Sequence, residues 1–191
     1  MRFLYGLALA LLVFGCRQQN AVYDKPYFDL DSLVNQQVQQ LVNARATLRK
    51  VARVGDAKDE RQWQPDSAQW AREFEVFRQL DWMNRPGFKD GYTIKTEPDT
   101  HSNLQVDVYT ATRPSPVLWL KIYYLGHRSN IRKVEARYRE SNALFVSERA
   151  LVWELETLDR QPMLTHYRME GYQKMIANDS VVYQIEGTIE E

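Results

Sequence analysis

The spacing of apolar residues changes twice along this chain, and each change marks a different kind of element. From Phe3 to Phe14 no charged residue interrupts an apolar run. Further on, Leu30, Leu33, Val34, Val38, Leu41 and Val42 recur at helical spacing while Asn35, Gln36, Gln39 and Gln40 lie opposite. That pattern predicts an amphipathic helix of about three turns, with Asp29 or Asp31 as its N-cap. Ala46 to Val54 is richer in β-branched and basic residues, and Gly55-Asp56 offers a tight reversal into Lys58 to Trp63, so a hairpin is expected there.

A second helix is expected from Asp66 to about Trp82. Asp66 is placed as an N-cap and Gln69 stands where a capping box takes Glu or Gln. Trp70, Phe74 and Phe77 fall at i, i+4 and i+7, so one face carries three large rings. They anchor the helix on a sheet or, alternatively, line an apolar ligand cavity.

Beyond the break at Asn84-Arg85-Pro86-Gly87 the period falls to two. Seven strands are predicted: Tyr92 to Thr96, Leu104 to Thr112, Val117 to Leu125, Ile131 to Arg139, Leu144 to Glu156, Leu164 to Ile176 and Val181 to Ile189. Their short links imply antiparallel pairing in a meander, because parallel neighbours need a crossover of a dozen residues or more. Val181, Tyr183, Ile185, Gly187 and Ile189 share one side of the last strand, and Gln184, Glu186, Thr188 and Glu190 the other, which predicts one solvated face. Val117 to Leu125 is apolar on both sides except for Lys121 and is expected to be covered on both. In Leu144 to Glu156 the apolar parity shifts from Leu144 and Val146 to Leu151, Trp153 and Leu155, which predicts a bulge near Ser147 to Arg149. The expected fold is α+β: a curved antiparallel β-meander with two helices from the N-terminal half packed on one face.

The opening apolar run is too short to span a bilayer, which takes about 20 residues, but it has the length of a signal peptide. Val13-Phe14-Gly15-Cys16 resembles the lipobox of bacterial lipoproteins, with Phe14 bulkier than that pattern prefers. The resemblance implies that Cys16 receives diacylglycerol and becomes the first residue after cleavage. Cys16 is also the single cysteine of the chain, so disulfides, thiol nucleophiles and cysteine-bound metals are not expected in the domain. The organisation read from the sequence is a signal peptide over 1–15, a lipidated tether over 16–26 and one globular domain over 27–191.

Charge narrows the partners. Loss of Arg2 with the signal peptide takes the 25 basic residues to 24, against 25 acidic ones, and no more than two basic residues stand together. Such a surface lacks the field of a nucleic-acid binder. His101, His127 and His166 fall in separate elements without zinc-ligand spacing, so no metal is expected. No nucleophile elbow, phosphate-cradling loop or dinucleotide fingerprint is present. Capping explains Asp29 and Asp31, and cross-strand pairing explains Glu135, Glu140, Glu148, Glu154 and Glu156. No catalytic residue and no cofactor is therefore assigned, and the domain is expected to be non-enzymatic. His166 and Arg168 gathered with a carboxylate in a pocket would point the other way.

Tyr27-Phe28-Asp29-Leu30-Asp31-Ser32-Leu33, Trp70-Ala71-Arg72-Glu73-Phe74 with Phe77, Tyr172-Gln173-Lys174 and Ile185-Glu186-Gly187 together look like small uncharacterised lipoproteins of Bacteroidota. The resemblance covers nearly the whole chain after Cys16 and implies a compartment, not a reaction. In similar lipoproteins an Asp after the lipidated cysteine retains the protein at the inner membrane, and an acidic run directs surface export. Arg17-Gln18-Gln19-Asn20 has neither, which implies the outer membrane, facing the periplasm. Asp31-Ser32-Leu33, Asp66-Ser67-Ala68 and Asp179-Ser180-Val181 resemble O-glycosylation sites of that phylum, although capping also accounts for the first two. A curved sheet with helices over it is similar to periplasmic lipoprotein carriers. On that likeness Trp70, Phe74, Phe77, Trp119 and Trp153 would line a lipid-sized cavity. The expected partners are the membrane, through the N-terminal lipid, and either an envelope protein or an apolar ligand.

Overall fold

The computed structural model describes residues 25–158, 161–175 and 179–190. Helix α1, Leu30–Asn43, starts where Asp29 accepts a hydrogen bond from the Ser32 amide at 2.9 Å. The free amides of a first turn need such an acceptor. Of the two expected caps it is Asp29 that serves, while Asp31 sits in the first turn and pairs with Arg78. The stripe Leu30, Leu33, Val34, Val38 and Leu41 is buried, and Gln37 is buried with it.

The predicted hairpin forms as β1 (Thr47–Val54) and β2 (Ala57–Trp63). Gly55 turns the chain at φ +55°, a conformation that costs a residue without Cβ little.

The single second helix expected over Asp66 to Trp82 is broken. Helix α2, Ser67–Glu73, opens with the predicted capping box: the Gln69 amide donates to Asp66 Oδ1 at 2.7 Å and the Asp66 amide to Gln69 Oε1 at 2.9 Å. Phe74 then leaves helical geometry, and the chain continues as α3, Glu75–Arg78, and a 3-10 helix, Gln79–Asn84. Phe74, Phe77, Leu80 and Met83 follow at intervals of three and all are buried. A period of three suits the 3.0-residue turn of a 3-10 helix and drifts off the face of a 3.6-residue one. Tightening keeps all four side chains inward.

The seven later strands are β3 (Tyr92–Pro98), β4 (Gln105–Ala111), β5 (Val117–Tyr124), β6 (Ile131–Ser141), β7 (Phe145–Leu158), β8 (Gln161–Met175) and β9 (Val181–Glu190). They pair in chain order as a meander, and the first hairpin joins its end through β1 and β9, giving β2-β1-β9-β8-β7-β6-β5-β4-β3, antiparallel throughout. Nine strands about 4.8 Å apart make a sheet wider than the helical layer. Yet that layer reaches one flank through Tyr27 on Tyr92 and Tyr109, and the other through Glu73 on Lys50. Contact at both flanks makes the sheet curl round the helices, as expected of the α+β class.

Two local expectations are corrected. Register is continuous past Ser147–Arg149, and the shift in the β7–β8 ladder falls between Glu154 and Leu155. Phe145, not Val146, pairs on the face of Leu151 and Trp153, so the parity never changed. The outer side of β5 is also not covered by a second layer among the described residues. Tyr123 is buried there under Lys133, whose ammonium lies 4.2 Å from the ring centroid, and Lys121 stands near Trp119. Lysine stems supply that cover. Among the described residues no helix is long and apolar enough to cross a membrane.

Candidate functional site

The rings proposed to line a cavity instead pack on one another. Trp70, Phe74, Phe77 and Trp153 are at most 1% exposed, with centroid separations of 5.3 Å for Trp70–Phe74, 5.0 Å for Phe74–Trp153 and 4.7 Å for Phe77–Trp153. Trp119 is not brought to them, because it lies on the opposite face of the sheet beside Arg137. Among the described residues five clefts open at the surface, and none of the five is lined by these four buried rings.

The first of these clefts, about 780 Å³, runs between the 3-10 helix and the end of β6. Its wall is built by short-range geometry. Trp82 and Arg85 stand three apart on a helical turn, so the guanidinium stacks over the indole at 3.4 Å. Opposite, Arg149 lies over the Tyr138 ring at 4.5 Å and donates to Gln79 Oε1 at 2.9 Å. The Arg149 Nε and the Trp82 Nε1 are buried without a hydrogen-bond partner among the described residues. Arg78 pairs with Asp31, and Lys25 bridges Asp81, at 3.0 Å, and Asp29. Partial burial works against the charge on Asp29, but Lys25 and the Ser32 donors outweigh it and hold the carboxyl below the ordinary carboxylate range. A second cleft of about 920 Å³ continues past Trp82 to Arg113, Arg139 and Leu118. Together they form a groove of stacked rings and amides in which Lys25 and Arg78 are paired with carboxylates while Arg85, Arg113 and Arg139 are not, among the described residues, suited to recognising a surface with both apolar and polar groups.

The residues weighed for chemistry sit elsewhere. His166 and Arg168 lie on the outer face of the sheet, His166 Nδ1 3.5 Å from Glu154 and Arg168 Nε 4.0 Å from Glu170. Glu135 accepts from Tyr123 diagonally across the strands at 2.8 Å but forms its ion pair along its own strand, with Lys133 at 2.9 Å, whereas Glu148 pairs diagonally with Arg137 at 3.1 Å. Glu140 instead turns inward towards Arg149, at 3.7 Å. His101 and His127 are exposed in the β3–β4 and β5–β6 links. Among the described residues no three His, Cys, Asp or Glu side chains gather as a metal site. Ser32 bonds to the cap Asp29 at 2.7 Å, while Ser67 and Ser180 are exposed. Cys16 and the segment over 1–15 lie outside the described residues.

Sequence reasoning missed the groove. Trp82 closes the expected helix and Arg85 falls in the expected break, and only the Trp-x-x-Arg spacing signals their stacking. Arg149 and Tyr138 carried no such signal, since only strand register brings them together. No protein-family model matches the chain, and no curated protein matches it either.

Proposed function

We propose that this protein is a lipid-anchored lipoprotein of the bacterial envelope whose domain acts by binding a partner, not by catalysis. The observation that carries the reading is the run Phe3 to Phe14 ending at Val13-Phe14-Gly15-Cys16, with the only cysteine of the chain at its end. An acylated N-terminal cysteine needs no spanning helix, since two or more acyl chains hold a protein stably at about 0.8 kcal/mol per buried methylene. Arg17-Gln18-Gln19-Asn20 supports the outer membrane, facing the periplasm, by analogy with similar lipoproteins. The groove between Gln79, Trp82, Arg85 and Tyr138 supports an envelope protein as the partner, because it offers stacked rings and amides at the surface while Trp70, Phe74, Phe77 and Trp153 pack on one another in the core.

Intact mass of the protein extracted from membranes tests the anchor. The expected mass is that of residues 16–191 plus diacylglycerol and further acyl groups, and Cys16→Ser should yield no acylated form. A mass equal to the bare polypeptide, with or without residues 1–15, would sink the proposal.

A further inference from the structure

The large apolar side chains most exposed among the described residues are Val54, Ile94, Leu144, Met175, Val181 and Val182, from 46% to 68%. They come from five separate stretches of chain, and the topology sets five of the six side by side at one end of the neighbouring strands β1, β9, β8 and β7, with Ile94 apart on the edge strand β3. Val54 closes β1, Leu144 lies in the β6–β7 link, Met175 ends β8, Val181 and Val182 open β9, and Ile94 stands third in β3. The pairs Tyr92↔Ala111, Val117↔Tyr138, Phe145↔Met175, Tyr172↔Val182 and Val54↔Tyr183 fix these termini side by side. The opposite end is polar: its links carry Asp99, His101, Ser102 and Asn103, and then His127, Arg128 and Ser129.

Two more features belong to the apolar end. Arg53, Arg85, Lys89, Arg113, Arg139 and Lys174 are exposed there, and none is within ion-pair distance of a carboxylate among the described residues. Among the described residues the acids in the links of this end are Asp56, Asp90, Glu140 and Asp179, and Asp29, Asp31, Glu75 and Asp81 about the first cleft are paired with Lys25 or Arg78. The chain also enters the fold at this end, since Lys25 lines the cleft whose far wall is Tyr138 and Glu140, close to the end of β6.

We propose that this end is a membrane-docking surface. Leu144, Met175, Val181 and Val182 enter the headgroup layer of the bilayer that holds Cys16, and the cations around them meet lipid phosphates. The proposal rests on the lipid-anchor reading above. The occupant follows from where the chain enters the fold and how many residues separate that point from Cys16. Lys25 is nine residues beyond Cys16, a reach of at most roughly 30 Å at 3.3–3.6 Å per residue. That leash keeps the point where the chain enters the fold within roughly 30 Å of the bilayer. The polar end stands a further strand length away, about 33 Å for the ten residues of β9. Apolar tips ringed by basic residues suit the interface of an anionic bilayer, where buried apolar area and phosphate attraction add.

The single cysteine makes the test direct. In the Cys16→Ser chain, with a polyhistidine tag at the same N-terminal position held on nickel-chelating lipid, one environment-sensitive dye is attached at Leu144→Cys, Val182→Cys or Ser102→Cys. The vesicles are phosphatidylethanolamine with phosphatidylglycerol. The expected result is a blue shift and brightening at 144 and 182 but not at 102, reduced by Leu144→Glu in the Val182→Cys chain and weakened by salt. Unchanged spectra at 144 and 182 on the tethered protein would overturn docking. So would a shift that appears without vesicles and grows with protein concentration, which would mean that two copies pair through this end. Because the tag replaces the acyl anchor, these outcomes do not depend on whether Cys16 is lipidated, which the intact-mass experiment decides alone.

Discussion

The side-chain amide of Gln37 completes the backbone hydrogen bonding of Leu164: its Oε1 accepts from the Leu164 amide at 2.8 Å, while its Nε2 donates to the Pro162 carbonyl at 3.0 Å. Gln37 lies in the middle of α1 and is fully buried, and Leu164 sits where the β7–β8 register shifts. A register shift strands backbone groups, and a buried one must find a partner elsewhere. Gln37→Leu keeps the apolar contacts of the stripe but leaves both groups unpaired, so a loss of roughly 2–4 kcal/mol is expected. Urea unfolding followed by circular dichroism would measure it, and a midpoint equal to that of the parent would refute the assignment.

Gly187 is required by the ring of Tyr167. The two residues are cross-strand neighbours, and a Cβ at 187 would stand 2.0 Å from Cε1 and 2.2 Å from Cζ of that tyrosine. Gly187→Ala should therefore destabilise by about 2 kcal/mol or more, since the ring is itself wedged against Phe74 and Phe77. Combining it with Tyr167→Leu should cost less than the sum of the single changes, because the clash disappears with the ring. Strict additivity in denaturant titrations would argue against the contact.

The hydroxyl of Tyr167 donates to Glu73 Oε1 at 2.6 Å, and the same oxygen takes Lys50 Nζ at 2.6 Å. One carboxylate thus ties α2 to β8 and β1. Glu73→Gln keeps an acceptor for the tyrosine and should cost less than Glu73→Ala, for which about 1–3 kcal/mol is expected from a partly buried pair losing one member. The order of the two unfolding midpoints is the check. Equal midpoints would show that charge pairing with Lys50, which both variants lose, dominates over the tyrosine bond.

Alkaline pH should unfold the domain cooperatively. Burial pushes up the phenols of Tyr92, Tyr109, Tyr123, Tyr138 and Tyr167, helped by Asp107 at Tyr109, which is pushed up to about 12, by Glu135 at Tyr123, by Glu140 at Tyr138 and by Glu73 at Tyr167. In each case the folded state holds its proton more tightly than the unfolded chain. The stability this contributes is complete below the ordinary value of 10.0 and is lost as pH rises from there toward the folded values. Each withheld phenol adds up to about 1.4 kcal/mol of loss per pH unit in that window. Phenolate absorbance should rise with the loss of circular dichroism as one transition. A broad titration centred near the ordinary tyrosine value with the dichroism intact would contradict it.

Much of the architecture was legible because local chemistry determined it. The capping box at Asp66 and Gln69, the turn at Gly55 and the two-residue period from Tyr92 onward each depend on neighbours within a few positions, and the strands they imply form within three residues of where they were placed. The α+β class and the solvated outer face follow from the same periods. Of the groove, only the Trp82 to Arg85 stack had a local signature.

Tertiary structure decided what depends on residues far apart. Gln37 occupies an apolar stripe, and only the arrival of Pro162 and Leu164, more than a hundred residues later, makes an amide the right side chain there. The break at Phe74 arises because a three-residue spacing must stay facing a curved sheet. Pairing of β1 with β9, and with it the gathering of Val54, Leu144, Met175, Val181 and Val182 at one end, comes from strand order, to which a sequence period is blind. Periodicity reports which side of an element meets the core. It carries no information about which elements become neighbours, because that is settled by the packing of the whole chain.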